Sequence, residues 1–321
     1  MNTKDTVAVA SRSFSQNIFL VSKLKNLYSS VILNETGKTL KDEDLVNFLK
    51  PASKAIIGIE AITNSILSEL PELKVISKYG VGLNNLDLEL LKNHEIKLGF
   101  TPGVNKQSVA ELALTLTLIG LKKIQDNNLD ILNGNWSQEK GSELFGKTIG
   151  LLGFGNIGQK LSSLVQPFNC NIIFFDERHY SDEDINNISM DLNLNPKLIH
   201  QSSLNSVLLE SDILSIHLPL SKETVNLIDA PKLAKLKSNV CIINTARGGI
   251  VNEVDLNNFL VENKTAFAAF DVYEEEPAFE NPLLKLSNFF GTSHRSSLTT
   301  EGINAMGIAA INGLDDNINI K

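Results

Sequence analysis

The stretch Gly150-Leu151-Leu152-Gly153-Phe154-Gly155-Asn156-Ile157-Gly158 decides the fold. It sets G-x-G-x-x-G directly behind an apolar run, 148–152, and directly ahead of a helix-like pattern. Asp176 ends the next apolar run, 172–175. Strand, glycine loop, helix, strand and acidic residue in that order make up a dinucleotide-binding βαβ unit. Gly153 allows the tight turn, Gly155 lets the backbone approach a pyrophosphate, and Gly158 lets helix and strand pack closely. The phosphates would then sit at the positive end of the helix. A glycine-rich turn with no ligand is the competing reading, and the flanking strands with Asp176 argue against it. A carboxylate at 176 accepts hydrogen bonds from the ribose hydroxyls of NAD and repels a 2′-phosphate. Arg178 could attract that phosphate, yet the expectation is NAD, with NADP less favoured.

A chain of 321 residues exceeds one such unit and predicts two domains. Its 42% hydrophobic content suffices for globular cores, and a net charge of -8 argues against nucleic acid or an anionic membrane as partner. Cys170 and Cys241 each lie beside an apolar run and read as buried free thiols. No metal site is expected. Met1-Asn2-Thr3-Lys4-Asp5 is polar and does not read as a signal peptide. The longest apolar stretch, 109–121, contains Glu111, two threonines and Gly120 and falls short of a bilayer span. A cytoplasmic protein is expected.

Outward from the glycine loop, two alternations of strand and helix appear. Residues 7–10, 30–33, 55–59, 74–77 and 96–100 read as buried strands, and 41–49 and 87–93 as helices. Such alternation implies a parallel sheet covered on both faces. Ser108-Val109-Ala110-Glu111 has a capping-box pattern and opens a helix apolar almost all round, hence expected to be buried. Gly134 and Trp136 mark a connecting loop. From Lys147 a second alternation runs through strands at 148–152, 172–175, 213–217, 240–244, 266–270 and 289–292. The polar stretch 180–196 reads as a surface loop with helical pieces, and 300–314 as a helix. Two α/β domains with the chain crossing near 105 put the expected ligand cleft between them.

A nicotinamide cofactor needs neighbours that handle one proton and one developing alkoxide. Three residues have that chemistry, and each follows a predicted strand, where open parallel sheets bind ligands. Arg247, in Asn244-Thr245-Ala246-Arg247-Gly248-Gly249, can fork onto a carboxylate or polarise a carbonyl. Glu276 ends the run Glu274-Glu275-Glu276, and His294 follows Phe289-Phe290-Gly291. A His held by a Glu is an acid–base pair, because the carboxylate stabilises the imidazolium. Each has a plainer reading: a surface ion pair for Arg247, a solvated face for the glutamates, a structural role for the His. The joint pattern downstream of the dinucleotide unit favours chemistry.

These residues, together with Lys78-Tyr79-Gly80-Val81-Gly82-Leu83-Asn84-Asn85-Leu86-Asp87, Thr101-Pro102-Gly103-Val104-Asn105 and His217-Leu218-Pro219-Leu220, resemble the D-isomer-specific 2-hydroxyacid dehydrogenase family near its phosphoglycerate-dehydrogenase-like branch. The resemblance covers nearly the whole chain. It implies two doubly wound parallel-sheet domains: a flavodoxin-like substrate domain of residues 1–105 plus 294–321, and a Rossmann NAD domain of 106–293. It implies an NAD-dependent enzyme interconverting a small 2-keto acid and a D-2-hydroxy acid, with 3-phosphoglycerate and glycerate or hydroxypyruvate ahead of D-lactate-like acids. His294 would be the proton donor, Glu276 its support, and Arg247 the group that orients the carboxylate and polarises the carbonyl. Val81 and Gly82 amides would receive the substrate carboxylate, and Lys78 and Asn105 would reach its distal group. Asp271 would bind the nicotinamide carboxamide. Asn156 and Ile157 would line the pyrophosphate side, and His217, Pro219 and Thr224 would pack along the cofactor, His217 being otherwise a core histidine. Thr245 and Ala246 would contact the nicotinamide ribose region.

The family usually has Pro before the catalytic His and Gly-Gly after it. Here the segment is Ser293-His294-Arg295-Ser296-Ser297, so Ser296 would narrow the space beside the nicotinamide and Arg295 either suits an anionic substrate or faces solvent. Only 27 residues follow His294, so feedback through a C-terminal regulatory domain is not expected. A homodimer through the cofactor domain is expected. Relatives of this fold that act as NAD(H)-sensing corepressors supply the alternative, against which the lack of long disordered tails argues.

Overall fold

The computed structural model describes residues 5–83 and 85–320. The polar start at Met1-Asn2-Thr3-Lys4, Asn84 of the 78–87 motif, and Lys321 lie outside the described residues. The chain folds as two compact units, Met1–Asn105 with Leu298–Lys321, and Lys106–Ser297.

In the first unit β1 (Thr6–Val9), β2 (Ser30–Leu33), β3 (Lys54–Ile57), β4 (Val75–Lys78) and β5 (Lys97–Gly99) form a parallel sheet in the order β2-β1-β3-β4-β5. That is the flavodoxin-like order. Successive residues face opposite cores, as strand pleating requires: Val7, Val9 and Ile56 go to one, Ala8, Ala55 and Ile57 to the other. The C-terminal helix Thr300–Asn312 returns to the first of these cores through Ala310 and Ile311. Ser77 Oγ donates to Ala310 O at 2.6 Å, and Lys54 pairs with Asp5 (3.1 Å) and Asp315 (2.6 Å).

In the second unit β6 (Thr148–Leu152), β7 (Asn171–Phe175), β8 (Ile199–Gln201), β9 (Ile213–Ile216), β10 (Cys241–Asn244), β11 (Phe267–Phe270) and β12 (Phe289–Gly291) are all parallel, ordered β12-β11-β10-β9-β6-β7-β8. This is the Rossmann order with one added strand, and its switch point lies between β6 and β9. Leu152, Ile173, Leu214, Ile242 and Phe270 face one core, and Leu151, Ile172, Phe174, Ile213 and Ile243 the other.

Four sequence expectations change. The return crossing falls at 297/298 rather than 293/294, because the Asp271 carboxylate takes the backbone amides of Arg295 and Ser296, both at 2.8 Å, and ties that loop to the second unit. The stretch 180–196 is mostly one helix, Asp182–Leu192, started by a capping box between Ser181 and Asp184 and stopped by left-handed Asn193. The helix at 109–121 begins at Lys106, so Ser108 is buried inside its first turn and does not cap it. That helix is also not buried all round. Val109, Ala110, Ala113 and Leu116 are buried, whereas Leu112, Leu114, Leu118 and Ile119 are only partly covered.

Cys170 and Cys241 are free and buried. Burial pushes their thiols up to about 11 and about 12, which leaves them protonated and unreactive at neutral pH.

Candidate active site

The chain leaves β6 through Gly153 at φ +97°, where a Cβ would lie 2.8 Å from His217 O. Only glycine takes that conformation without strain. A Cβ on Gly158 would strike the carbonyl oxygen of Gly153, so the helix comes this close only with glycine there. Gly155 is the N-cap of the helix Asn156–Val165 and provides no side-chain cap, and a Cβ on it would meet nothing within 4 Å. Uncapped amides, Asn156 and Ile157 among the first, therefore border open space of the kind an anion fills. Asp176, just beyond β7, accepts from Phe154 N at 2.7 Å and Arg178 N at 3.0 Å, one bond to each carboxylate oxygen. Each oxygen keeps a further lone pair for a ribose hydroxyl.

Just beyond β9 and β10, two buried polar atoms, His217 Nδ1 and Thr245 Oγ1, lack a partner among the described residues. Orphans of this kind cost about 1–3 kcal/mol each. Two of them beside a glycine cradle fit a bound dinucleotide. Ser215 Oγ holds the other ring nitrogen of His217 at 2.9 Å. Burial pulls the His217 pKa down from 6.5 to about 3, so the ring is neutral in the folded protein. The unfolded chain then binds the extra proton, and His217 withdraws stability as pH falls from about 6.5 towards 3. Urea unfolding of His217→Gln across this range is expected to show a shallower loss than the wild type. Equal slopes would contradict a buried neutral His217.

Arg247, Glu276 and His294 come from the loops after β10, β11 and β12. Asn244 shapes the first loop: its Oδ1 accepts from Ala246 N (3.0 Å) and its Nδ2 donates to Arg247 O (2.9 Å). One Arg247 N–H goes to Ala246 O at 2.6 Å, leaving four of its five donors. Burial lowers the guanidinium pKa and the nearby Glu276 carboxylate opposes that shift. Glu276 Oε1 accepts from Tyr273 N at 3.1 Å, and its Oε2 meets His294 Nδ1 at 2.8 Å. The carboxylate thus fixes the ring orientation, and His294 Nε2 finds no partner among the described residues.

His294 itself sits at φ +48°, a costly conformation for a non-glycine residue. Asp271, fully buried, enforces it. Its backbone O accepts from His294 N (2.8 Å), and its carboxylate accepts from Thr292 Oγ1 (2.6 Å), Arg295 N and Ser296 N (2.8 Å each). Three of about four acceptor positions are thereby taken. Asp271 is first of all the organiser of the His294 loop, and one lone pair remains for a carboxamide. The sequence assigned no role to Asn244 or Thr292. Their signal was a polar residue at the carboxyl end of an apolar strand run.

Thr224 Oγ1 donates to Pro219 O (2.6 Å) and accepts from Ser221 N (2.7 Å), so it closes the 219–224 loop. Lys78, Val81, Gly82 and Asn105 belong to the first unit. Lys78 is buried, and its Nζ donates to Gly58 O and to Asn85 Oδ1 (2.7 Å). These bonds tie it to the end of β3 and to Asn85. Among the described residues the amides of Val81 and Gly82 meet no acceptor, and Asn105 is buried.

An open dinucleotide cradle beside a carboxylate-backed imidazole and an arginine is the equipment of a dinucleotide-dependent oxidoreductase. Residues 114–296 match the D-isomer specific 2-hydroxyacid dehydrogenase, NAD binding domain. The chain is 34% identical over 284 residues to D-3-phosphoglycerate dehydrogenase of Methanocaldococcus jannaschii, covering 86% of this chain and 52% of that one. It is 32% identical over 286 residues to hydroxypyruvate reductase of Thermotoga maritima, covering 87% and 89%. The NAD+-bound 3-phosphoglycerate dehydrogenase of Entamoeba histolytica superposes with TM-score 0.76 at 25% identity, over 96% of this chain and 93% of that one. The chain belongs to the D-isomer-specific 2-hydroxyacid dehydrogenase family. It spans about half the length of the Methanocaldococcus relative and most of the Thermotoga one.

Proposed function

We propose that the protein is an NAD-dependent dehydrogenase that interconverts a small 2-keto acid and its D-2-hydroxy acid. The observation that carries this reading is the 2.8 Å pairing of His294 Nδ1 with Glu276, which leaves Nε2 open, next to Arg247. The nicotinamide, when bound, supplies the hydride to C2 of the keto acid. His294 Nε2 donates the proton to the keto oxygen, and Glu276 holds the ring in place through Nδ1. Arg247 uses its remaining donors on the substrate carboxylate and the reacting carbonyl. Asp271 positions His294 by holding its loop. In the first unit the open Val81 and Gly82 amides form a nest for a carboxylate.

Asn156 and Ile157 receive the pyrophosphate, Asp176 the adenosine ribose, and Thr245, Ala246, His217, Pro219 and Ser296 line the rest of the cofactor. The substrates we favour are 3-phosphoglycerate and the glycerate/hydroxypyruvate pair, in keeping with the names of the two relatives above. The partly covered apolar residues of helix Lys106–Leu121, with exposed Ile131, Leu132 and Trp136 beyond it, support a homodimer through the cofactor unit.

Asp176→Asn keeps an acceptor for Phe154 N and removes the charge that repels a 2′-phosphate. We expect NADH to bind roughly 10-fold more weakly and NADPH more tightly than in the wild type, since hydrogen bonds to a charged group are worth about 1.5–3 kcal/mol. Titration of each reduced cofactor measures this, and an unchanged NADH/NADPH ratio would move the selecting role elsewhere. The family reading as a whole is tested by NADH oxidation with a panel of 2-keto acids.

A further inference from the structure

Arg178 stands two residues beyond Asp176, with its backbone amide 3.0 Å from the carboxylate that faces the ribose. An arginine so placed is the natural receiver of a 2′-phosphate and would undercut selection of NAD. In the structure its side chain is engaged by two neighbours. Nη2 of Arg178 meets Asp184 Oδ1 at 3.0 Å, and the guanidinium carbon stands 4.7 Å from the centroid of the Tyr180 ring, a cation–π distance.

Both halves of this resting place are themselves fixed. The Asp184 carboxylate accepts from Ser181 N (3.0 Å) and Ser181 Oγ (2.8 Å) in the capping box of helix Asp182–Leu192. These bonds, and then Arg178, keep its carboxyl below the usual range. Tyr180 is buried, stands edge-on to Phe154 and Phe174, and donates its hydroxyl to Phe154 O at 3.0 Å. Gln201 ties the connecting backbone together: its Oε1 accepts from Tyr180 N (2.9 Å), and its Nε2 donates to Asp176 O (3.2 Å) and Arg178 O (2.8 Å). The guanidinium therefore docks on a pre-built platform rather than on a second mobile chain.

We propose that Asp184 and Tyr180 are specificity-determining residues that sequester the Arg178 guanidinium away from the ribose 2′ position, so that Asp176 faces the cofactor without a competing cation. This rests on the NAD reading above and deepens it. Selection against NADP then has two components: Asp176 repels the phosphate, and Asp184 withholds the arginine that would attract it. The Arg178–Asp184 pair is exposed, 63% and 36% for the two side chains, so its hold is modest and weakens with salt.

The test measures dissociation constants of NADH and NADPH, by nicotinamide fluorescence at low salt, for the wild type, Asp184→Asn, Arg178→Ala and the double variant. Asn at 184 still accepts from Ser181, and thermal unfolding checks that the helix start survives. Asp184→Asn is expected to tighten NADPH roughly 3- to 5-fold with NADH affinity held, the ceiling set by an exposed ion pair. The double variant is expected to lose that gain, and 0.5 M salt to shrink it. Asp184→Asn with an unchanged NADPH/NADH ratio would overturn the proposal. So would a gain that persists in the double variant, which would reduce the effect to removal of one negative charge. If the wild type binds neither reduced cofactor, the NAD reading itself fails, a result distinct from both.

Discussion

Replacing His294 by Ala is expected to lower kcat for 2-keto-acid reduction by roughly 10²–10⁴-fold, the usual worth of a positioned general acid. NADH affinity should change little, because the glycine loop and Asp176 do not depend on the imidazole. The side chain is half exposed and, among the described residues, bonded only to Glu276, so fold stability should also hold. Glu276→Gln keeps the hydrogen bond to the ring and loses the charge; we expect a smaller fall than for His294→Ala. Stopped-flow or steady-state NADH absorbance measures all of these. A His294→Ala enzyme with wild-type kcat would remove the proton donor from the account.

The second large effect is expected at Arg247. On the role proposed for it, Arg247→Ala removes both the fork that would grip a carboxylate and the positive charge that would face the developing alkoxide. One such donor to an oxyanion is worth about 10²–10³ in kcat, and loss of the carboxylate grip raises KM in addition. Arg247→Lys should recover little, since an ammonium presents a point charge and not a planar fork. NADH binding again serves as the control that separates lost chemistry from lost fold. Kinetic parameters equal to wild type would make Arg247 a surface residue whose bond to Ala246 O is all it does.

Much of the second unit could be read from residue types. The apolar runs ending in Gly153, His217, Thr245, Asp271 and Thr292 each became a strand whose carboxyl end meets the candidate site, because parallel strands buried on both faces must be continuous apolar segments. The edge strand Ile199–Gln201 escaped notice because three residues, with His200 and Gln201 among them, carry no periodicity. Helix Asp182–Leu192 was hidden by its many Asp and Asn residues. Only Ile185 and Ser189 are buried on it, and the capping box at Ser181 does what an apolar stripe does elsewhere.

The pairing of Glu276 with His294 was legible from residue type, and positions where a polar residue serves the backbone were less so. Asp271 is the instructive case. The family resemblance implies a cofactor contact, and most of its carboxylate also holds Thr292, Arg295 and Ser296 in place. Lys78 is a second: the resemblance implies a substrate ligand, and its ammonium also bonds Gly58 O and Asn85. Such hydrogen bonds join residues distant in sequence, and no local pattern encodes them.

The most direct measurement of the central claim pairs two readouts on the same samples: NADH binding, and NADH oxidation with glyoxylate, hydroxypyruvate, 3-phosphohydroxypyruvate and pyruvate, for the wild type and His294→Ala. The account predicts that both proteins bind NADH, that the wild type turns over at least one of these acids to its D-hydroxy product, and that the variant loses nearly all of that turnover. Tight NADH binding by a wild type that reduces none of them would contradict it and favour a cofactor-sensing protein.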